Sequence, residues 1–353
     1  MGVGKARYFN KCADKNGVPP KARLSLPLLK ALFELASRLP LPLLHAMGIL
    51  LGWGAYVCSK RFRRALNANL ARAGYTSARL KRMAIGEIGK SFMELPVVWM
   101  RPLRQVADLV RETTGWEHIT QAHAQGRPIV FLTPHLGCFE ITAQVYAFRA
   151  PLAKPITVLY RRPRTAALTS LIEERQRKKL KLAPADLSGV RALMRALKRG
   201  EAAGLLPDQT PRFGEGVWAP FFGKPAFTMT LPGRLVRSSG ALLLLAHAER
   251  LAWGRGYKLE VRPFEGAMSE NLDQAAAQLN AALETLIRQC PAQYLWTYER
   301  YRTPRGVAAP GNAMPGNVAA VPAAPVASTT NLGAEAIADA SASAKASARA
   351  RTP

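Results

Sequence analysis

Apolar runs of strand length alternate with helical stretches through most of the chain, and this alternation limits the possible folds more than any other feature. The runs of strand length are Pro128–Pro134, Ile156–Tyr160, Ala203–Pro207, Ala241–Ala246 and Tyr257–Val261. The helical stretches cover 139–149, 165–180, 188–199, 227–239 and 271–289. The pattern predicts an α/β fold with a mixed, largely parallel sheet flanked by helices. Ligands of such sheets bind beyond the carboxyl ends of the strands, so the residues directly after each run are candidates for function.

Residues 1–60 have the composition of a basic N-terminus followed by a membrane-associating helix. The apolar run Leu41–Cys58 approaches the ~20 residues that a membrane span requires. Four basic residues follow it directly: Lys60, Arg61, Arg63 and Arg64. Such flanks favour an anionic cytoplasmic leaflet. Pro40, Pro42 and the charged residues nearby are unfavourable in a membrane span, so the prediction is attachment to a membrane, either as a span or as an interfacial helix. A buried amphipathic hairpin of a soluble protein is the alternative.

The rest of the chain divides into one large domain and a low-complexity tail. Helical periodicity continues from Arg61 to Met100 and precedes the α/β alternation, so we assign 61–303 to a single catalytic domain. Residues 304–353 are rich in Ala, Pro, Ser and Gly. Such a segment buries too little apolar surface to offset its ordering entropy, and we predict a disordered tail.

The formal net charge of +27 indicates partners that carry negative charge. Nucleic acid, an anionic bilayer and an acidic carrier protein all meet that condition, and a basic binding protein without catalysis is one hypothesis. The chain has no RNA-binding or helix-turn-helix signature, and aromatic residues do not interleave with its basic runs as base stacking requires. We therefore expect no nucleic-acid partner. The cation-rich stretch 161–181 is a candidate surface for lipid headgroups or an acidic carrier.

The four cysteines predict neither a disulfide framework nor a zinc site. They lie far apart and lack metal-ligand spacing: Cys12, Cys58, Cys138 and Cys290. This usage favours a reducing compartment. Although Cys138 is close to His135 in the chain, nothing in the pattern aims that base at the thiol, so we predict a packing role for Cys138.

The sharpest chemical feature is His135 followed by Glu140. His135 comes at the end of a predicted strand, and Glu140 lies where a helix begins. An imidazole in this position can act as a general base toward an alcohol, and a carboxylate can hold its other ring nitrogen in the correct tautomer. The structural alternative is a strand cap and a carboxylate favoured by the helix dipole.

Six blocks together resemble the secondary lipid A (lauroyl/myristoyl) acyltransferase branch of the lysophospholipid-acyltransferase superfamily. The His135-x4-Glu140 block is similar to the HX4(D/E) motif of the superfamily. The later blocks resemble segments of the branch, in the same order: Tyr160–Pro163, Leu197–Glu201, Leu206–Gln209, Gly214–Gly223 and Gln293–Trp296. Two departures are an additional Arg162 in the YRP block and Ala292 where the branch has Glu. The resemblance covers about 25–303.

The resemblance implies roles for individual residues. His135 takes the proton from a substrate hydroxyl, and Glu140 orients its ring. Arg161 is the expected cationic partner of the oxyanion or of a substrate phosphate, and Asp208 is expected to order Arg161 or a substrate group. Three aromatic residues are candidates for walls of an acyl pocket, although core positions are the commoner fate of such residues: Trp218, Phe221 and Phe222.

The function implied by the resemblance is transfer of a fatty acyl chain from acyl-acyl carrier protein to a hydroxyacyl hydroxyl of a lipid A precursor. The implied location is the cytoplasmic face of the bacterial inner membrane. No metal or cofactor is expected besides the acyl carrier protein that brings the donor. The alternative is acyl transfer to a glycerophospholipid or another membrane lipid, because the HX4(D/E) motif alone does not separate these substrates.

Overall fold

The computed structural model describes residues 26–161, 166–173 and 179–310. The basic N-terminus and most of the predicted tail lie outside these residues, as does part of the cation-rich stretch. The helices in chain order are α1 (Leu26–Ser37), α2 (Leu41–Cys58), α3 (Lys60–Arg72), α4 (Ala78–Met93), α5 (Leu95–Met100), α6 (Leu103–Ala107), α7 (Trp116–Ala124), α8 (Phe139–Arg149), α9 (Ala166–Glu173), α10 (Leu187–Lys198), α11 (Leu231–Ser239) and α12 (Leu272–Gln289).

A seven-stranded sheet forms the centre of the domain. The strands in chain order are β1 (Val110–Thr114), β2 (Ile129–Leu132), β3 (Ile156–Tyr160), β4 (Leu180–Pro184), β5 (Ala202–Leu205), β6 (Gly216–Phe221), β7 (Lys224–Met229), β8 (Leu242–Arg250) and β9 (Tyr257–Pro263). The sheet order is β1-β9-β8-β2-β5-β3-β4, and neighbours run parallel except β8 and β9. β6 and β7 form a separate hairpin. The predicted mixed, largely parallel α/β fold is confirmed.

Each face of the sheet carries its own apolar core, because successive side chains of a strand point to opposite faces. Ile129 and Phe131 of β2 pack with α8 on one side, which we call the α8 face. Val130 and Leu132 pack with α10, α11 and α12 on the other side, which we call the α10 face. β2 is buried along its whole length, as expected for a parallel strand covered on both faces.

Four strands were not predicted from the apolar runs. β1 and β4 lie at the two edges of the sheet, where one side of a strand needs no partner, and β1 has a single buried residue, Val110. β6 and β7 form a hairpin, and because β7 continues to Met229, the helix predicted over 227–239 begins only at Leu231. The two residues between these strands, Phe222 and Gly223, have φ values of 47° and 69°. This is the backbone of a tight hairpin turn, which helical periodicity does not detect.

The predicted apolar helix Leu41–Cys58 is confirmed as α2, and it packs closely on α4. A Cβ atom on Gly89 of α4 would lie 1.8 Å from the carbonyl oxygen of Gly48 of α2. Glycine is therefore required for the two backbones to approach. The contact buries one side of α2 and leaves large apolar side chains exposed on the rest: Leu43, Met47, Ile49, Leu50, Leu51, Trp53 and Val57. Among the described helices, α2 is the one long and apolar enough to cross a membrane.

A buried ion pair connects α2, α4, β8 and the chain after β2. Arg250 donates from Nε and Nη2 to the two carboxylate oxygens of Glu94, at 2.7 and 2.9 Å. Nε2 of His45 on α2 lies 2.8 Å from Oε1 of Glu94. Arg250 Nη2 also donates to the carbonyl oxygen of Gly137, at 2.8 Å. Burial by itself would raise the pKa of Glu94, but the charge of Arg250 and the hydrogen bonds from His45 and Arg250 lower that pKa to about 2.

We expect Glu94→Gln to destabilise the fold by about 3–5 kcal/mol, because it leaves the Arg250 charge buried without its partner. The pKa of Glu94 falls from 4.5 to about 2 on folding. Its contribution is therefore present above pH 4.5 and is lost as the pH falls from 4.5 towards 2. Urea unfolding in detergent, followed by tryptophan fluorescence across this pH range, measures both effects.

Glu112→Gln is the matched control, because the carboxylate of Glu112 is exposed and its ion pair with Lys258, at 3.9 Å, lies at the surface. Exposed ion pairs contribute about 0–1 kcal/mol. Equal unfolding midpoints for the Glu94 and Glu112 variants would contradict a structural role for the buried pair.

Candidate active site

The loop after β2 carries His135 and is held by backbone contacts with three other segments. The amide of Thr133 donates to the carbonyl oxygen of Leu205, at 2.9 Å, which continues the β2–β5 pairing. Leu295 donates its amide to the carbonyl oxygen of His135, at 3.0 Å. Cys138 donates its amide to Ala248 of β8, at 2.8 Å. The candidate base is therefore held on a backbone with three hydrogen bonds to other segments rather than on a free loop.

Gly137 is the position in this loop that only glycine can fill. Its φ is +59°, and a Cβ atom there would lie 2.0 Å from the carbonyl oxygen of Ala248. The Gly137 amide donates to the carbonyl oxygen of Gln293, at 3.1 Å, and its own carbonyl accepts from Arg250. Both polar groups of the Gly137 backbone are thus satisfied by residues far away in the sequence.

Asp208, directly after β5, holds both the backbone and the ring of His135. The His135 amide donates to Asp208 Oδ2 at 2.9 Å, and ring atom Nδ1 lies 2.8 Å from Asp208 Oδ1. Burial by itself raises the pKa of Asp208, but the charge and the hydrogen bonds of His135 outweigh it and lower that pKa. An ionised carboxylate only accepts hydrogen bonds, so Nδ1 carries the proton.

The other ring nitrogen of His135 faces Gln209. The side-chain amide nitrogen of Gln209 lies 3.1 Å from His135 Nε2, and because Nδ1 carries the proton, Nε2 of the neutral ring is the acceptor. The ring of Phe139 packs against the imidazole, with 4.6 Å between the centroids. This is the tautomer that a general base requires, with the lone pair on Nε2.

The predicted site residues follow three neighbouring strands. β2, β5 and β3 are adjacent and parallel, and their carboxyl ends lead to His135, Asp208 and Arg161. Glu140 lies in the first turn of α8 and lines the same cavity as His135. The carboxylate on Nδ1 of His135 is that of Asp208, although the motif pattern assigned the orienting role to Glu140. Both oxygens of Asp208 bond to His135, whereas the resemblance implied that Asp208 orders Arg161 or a substrate group.

A cavity of about 750 Å³ opens beside the His135 ring. Its walls are mainly aliphatic and aromatic, and they include Phe131, Tyr146, Val158 and Leu235. Three exposed arginines line it as well: Arg161, Arg212 and Arg234. None of their guanidinium groups pairs with a carboxylate within the described part of the chain. The site therefore combines an apolar interior with cationic groups and a candidate base.

The three aromatic residues expected in an acyl pocket lie elsewhere. Trp218, Phe221 and Phe222 belong to the β6–β7 hairpin and its turn, and none of them is among the described residues that line the His135 cavity. Phe221 and Phe222 pack in the core of the α10 face. Trp218 donates its indole N–H to the carbonyl oxygen of Ala308, at 3.0 Å. Their apolar character serves packing, which their sequence pattern did not distinguish from substrate contact.

Sequence reasoning did not assign roles to Gln209 and Arg250. Gln209 follows Asp208 in one of the recognised blocks. Its position next to a candidate site residue was the sequence signal that could have identified it. Arg250 stands alone at the end of β8, and no sequence pattern indicates its buried contact with Glu94. Cys138 is buried, and burial followed by the charge of Glu94 raises its thiol pKa well above the ordinary value. This environment agrees with the predicted packing role.

The chain is similar to proteins of one bacterial family. A family model described as bacterial lipid A biosynthesis acyltransferase matches residues 27–303. The lipid A biosynthesis lauroyltransferase of Escherichia coli strain K12 is 29% identical over 283 residues, which cover 77% of this chain and 90% of that relative. The lipid A biosynthesis palmitoleoyltransferase of the same strain is 28% identical over 272 residues, which cover 75% and 87%. The chain therefore belongs to the bacterial lipid A biosynthesis acyltransferase family.

Proposed function

We propose that this acyltransferase moves a fatty acyl chain from acyl-acyl carrier protein to the hydroxyl of a hydroxyacyl chain on a lipid A precursor. The observation that carries the proposal is the His135 ring, held through Nδ1 by Asp208, with Nε2 directed at an apolar cavity. Family membership supports lipid A as the acceptor. The position of the base and the apolar walls support a long acyl chain as the transferred group.

The reaction needs no enzyme nucleophile. His135 Nε2 takes the proton of the acceptor hydroxyl while that oxygen attacks the thioester carbonyl carbon. The carbon–sulfur bond of the tetrahedral intermediate then breaks, and the imidazolium returns the proton to the leaving thiolate. Asp208 stabilises the imidazolium through Nδ1, and Glu140 adds a second negative charge beside the same cavity. The products are the ester and the free carrier thiol, so atoms and charges balance.

Gln209 and Arg161 lie where they can interact with the two groups that change during the reaction, the acceptor hydroxyl and the oxyanion. The Gln209 amide occupies Nε2 until the acceptor hydroxyl takes its place. Arg161 is the proposed cationic partner of the oxyanion, or of a substrate phosphate. Removal of one donor to an oxyanion typically lowers kcat by about 10²–10³. Arg212 and Arg234, which also lack carboxylate partners among the described residues, extend the cationic surface toward an acidic carrier protein or the lipid A phosphates.

We further propose that α1 and α2 attach the enzyme to the cytoplasmic face of the inner membrane. The exposed side chains of α2 are mostly apolar, and α1 adds exposed Leu28, Leu32 and Leu35. Basic residues at the start of α3 follow this surface directly, and Arg63 donates to the carbonyl oxygens of Tyr56 and Val57 at the end of α2. An apolar surface bordered by cations matches the interface of an anionic bilayer.

His135→Ala is expected to lower kcat by about 10²–10⁴ with little effect on thermal stability, because the general base is lost. The assay uses purified enzyme in detergent, acyl-acyl carrier protein and a tetra-acylated lipid A precursor, with the product identified by mass spectrometry. A His135→Ala enzyme that acylates the precursor at the wild-type rate would remove the basis of the mechanism.

The variants Asp208→Asn and Glu140→Gln distinguish the roles of the two carboxylates. Asparagine at 208 can donate to Nδ1 and so stabilise the wrong tautomer, and we expect a loss of about 10³–10⁴ in kcat. Glutamine at 140 keeps the shape and removes one charge, so a smaller loss is expected. Both variants are measured in the same assay. If Glu140→Gln lowers kcat more than Asp208→Asn does, Glu140 rather than Asp208 orients the His135 ring.

Leu50→Glu is expected to weaken membrane attachment, because Leu50 is 74% exposed on the apolar side of α2. Cosedimentation with vesicles that contain phosphatidylglycerol measures the bound fraction. Leu152→Glu is the matched control, since Leu152 is 71% exposed but lies in the loop between α8 and β3. Equal losses for the two variants would speak against α2 as the membrane surface.

A further inference from the structure

The cavity beside His135 draws its walls from both apolar cores, one on each face of the sheet. Phe131, Tyr146 and Leu259 belong to the core of the α8 face. Leu205 and Leu235 belong to the core of the α10 face. A single continuous cavity therefore extends around the carboxyl edge of the sheet and has two arms, which we call the α8 arm and the α10 arm.

The two arms meet where β5 separates from β3. The pairing of these parallel strands ends at Val158 and Gly204, one residue before β5 itself ends. Gly204 lines the cavity and has no side chain to fill it; a Cβ atom there would lie 3.2 Å from Cγ2 of Val158. His135 and Gln209 lie at the same edge of the sheet. The reacting atoms are thus placed at the junction of the arms.

The α8 arm is lined mainly by buried apolar residues. It lies beneath α8 and is walled by residues of six neighbouring strands from β9 to β4, a distance of roughly 24 Å at ~4.8 Å per strand. Most of its wall residues are almost inaccessible to solvent, among them Ile119, Ile156, Leu180 and Val261. The Tyr146 hydroxyl in this arm forms a hydrogen bond with His123 Nε2, at 2.9 Å. The arm therefore offers an alkyl chain an apolar environment with buried walls.

The α10 arm has an open border. Val190 and Met194 of α10 and Leu235 of α11 form its apolar side. Its border contains exposed residues, namely Leu187, Arg212, Arg234 and Ser238. A chain that remains attached to a larger anionic lipid can enter such a groove from the side, with its headgroup near the arginines.

We propose that the cavity holds two acyl chains at once, the donor chain in the α8 arm and the hydroxyacyl chain of the acceptor in the α10 arm. This inference rests on the proposed function, since the reaction joins one acyl chain to a hydroxyl carried by another. The donor chain is a thioester attached to the carrier at one end only, so its alkyl tail can be buried along its length, and the buried arm suits it. The acceptor chain belongs to a bulky lipid, and the open arm suits it.

Blocking one arm at a time tests the assignment. Ala143 of α8 and Val190 of α10 each line one arm and are half-buried on a helix. Ala143→Phe is expected to lower kcat/KM for the longest donor chains by roughly ten- to two-hundred-fold while shorter donors react normally. Val190→Phe is expected to raise the KM for acceptors with long hydroxyacyl chains and to leave the donor preference unchanged. Donor and acceptor chain lengths are varied separately with purified enzyme in detergent.

Three controls keep the result interpretable. Ala281→Phe places the same ring at an exposed position of α12 outside the cavity and should keep wild-type profiles. Ala143→Leu and Val190→Leu repeat the test with smaller side chains if phenylalanine prevents folding.

If wild-type enzyme transfers no acyl group to any lipid A precursor, the proposed function itself fails. If wild-type and Ala281→Phe enzymes transfer but the two arm variants exchange their effects, or each alters both profiles equally, only the two-arm assignment is overturned.

Discussion

Asp208 accepts two hydrogen bonds from His135, one from the backbone amide and one from ring atom Nδ1. Because β2 and β5 are adjacent parallel strands, this pair of bonds sets the position of the base relative to the sheet and selects its tautomer at the same time. The second ring nitrogen of His135, Nε2, faces the Gln209 amide. The cavity and the carboxyl end of β3 lie beside it. A shift of β5 against β2 would change the direction of that lone pair, so the chemistry depends on the register of the central sheet.

The frame around His135 comes from segments far apart in the sequence. The amide of Leu295 donates a hydrogen bond to the carbonyl oxygen of His135, and Arg250 donates one to the carbonyl oxygen of Gly137 in the same loop. Arg250 in turn pairs with Glu94, which also bonds to His45 of α2. An unbroken chain of contacts thus joins the apolar helix that we assign to the membrane with the loop that carries the base. Each of these contacts is costly to break, because a buried charged group requires its partner.

The sequence was most informative where chemistry and backbone position coincide. His135, Arg161 and Asp208 follow runs of strand length, and parallel strands bring their carboxyl ends to one edge, so their proximity could be predicted. The helix Leu41–Cys58 was recognised with the boundaries it has in the structure, since an uninterrupted apolar run has few other conformations. The ordered blocks indicated the family correctly. The edge strands and the β6–β7 hairpin could not be predicted, because short, partly charged or proline-containing strands have no distinctive periodicity.

By itself, the amino-acid sequence determined the fold class and the family, and it singled out the His135 imidazole as the candidate base. Only the tertiary structure decided which carboxylate holds that imidazole and which apolar side chains line the cavity beside it. Asp208 and Glu140 are both carboxylates in recognised blocks, and Phe221 is as apolar as Phe131. Sequence describes the chemical nature of such residues, whereas their roles depend on distances across neighbouring strands and on which face of the sheet each side chain occupies.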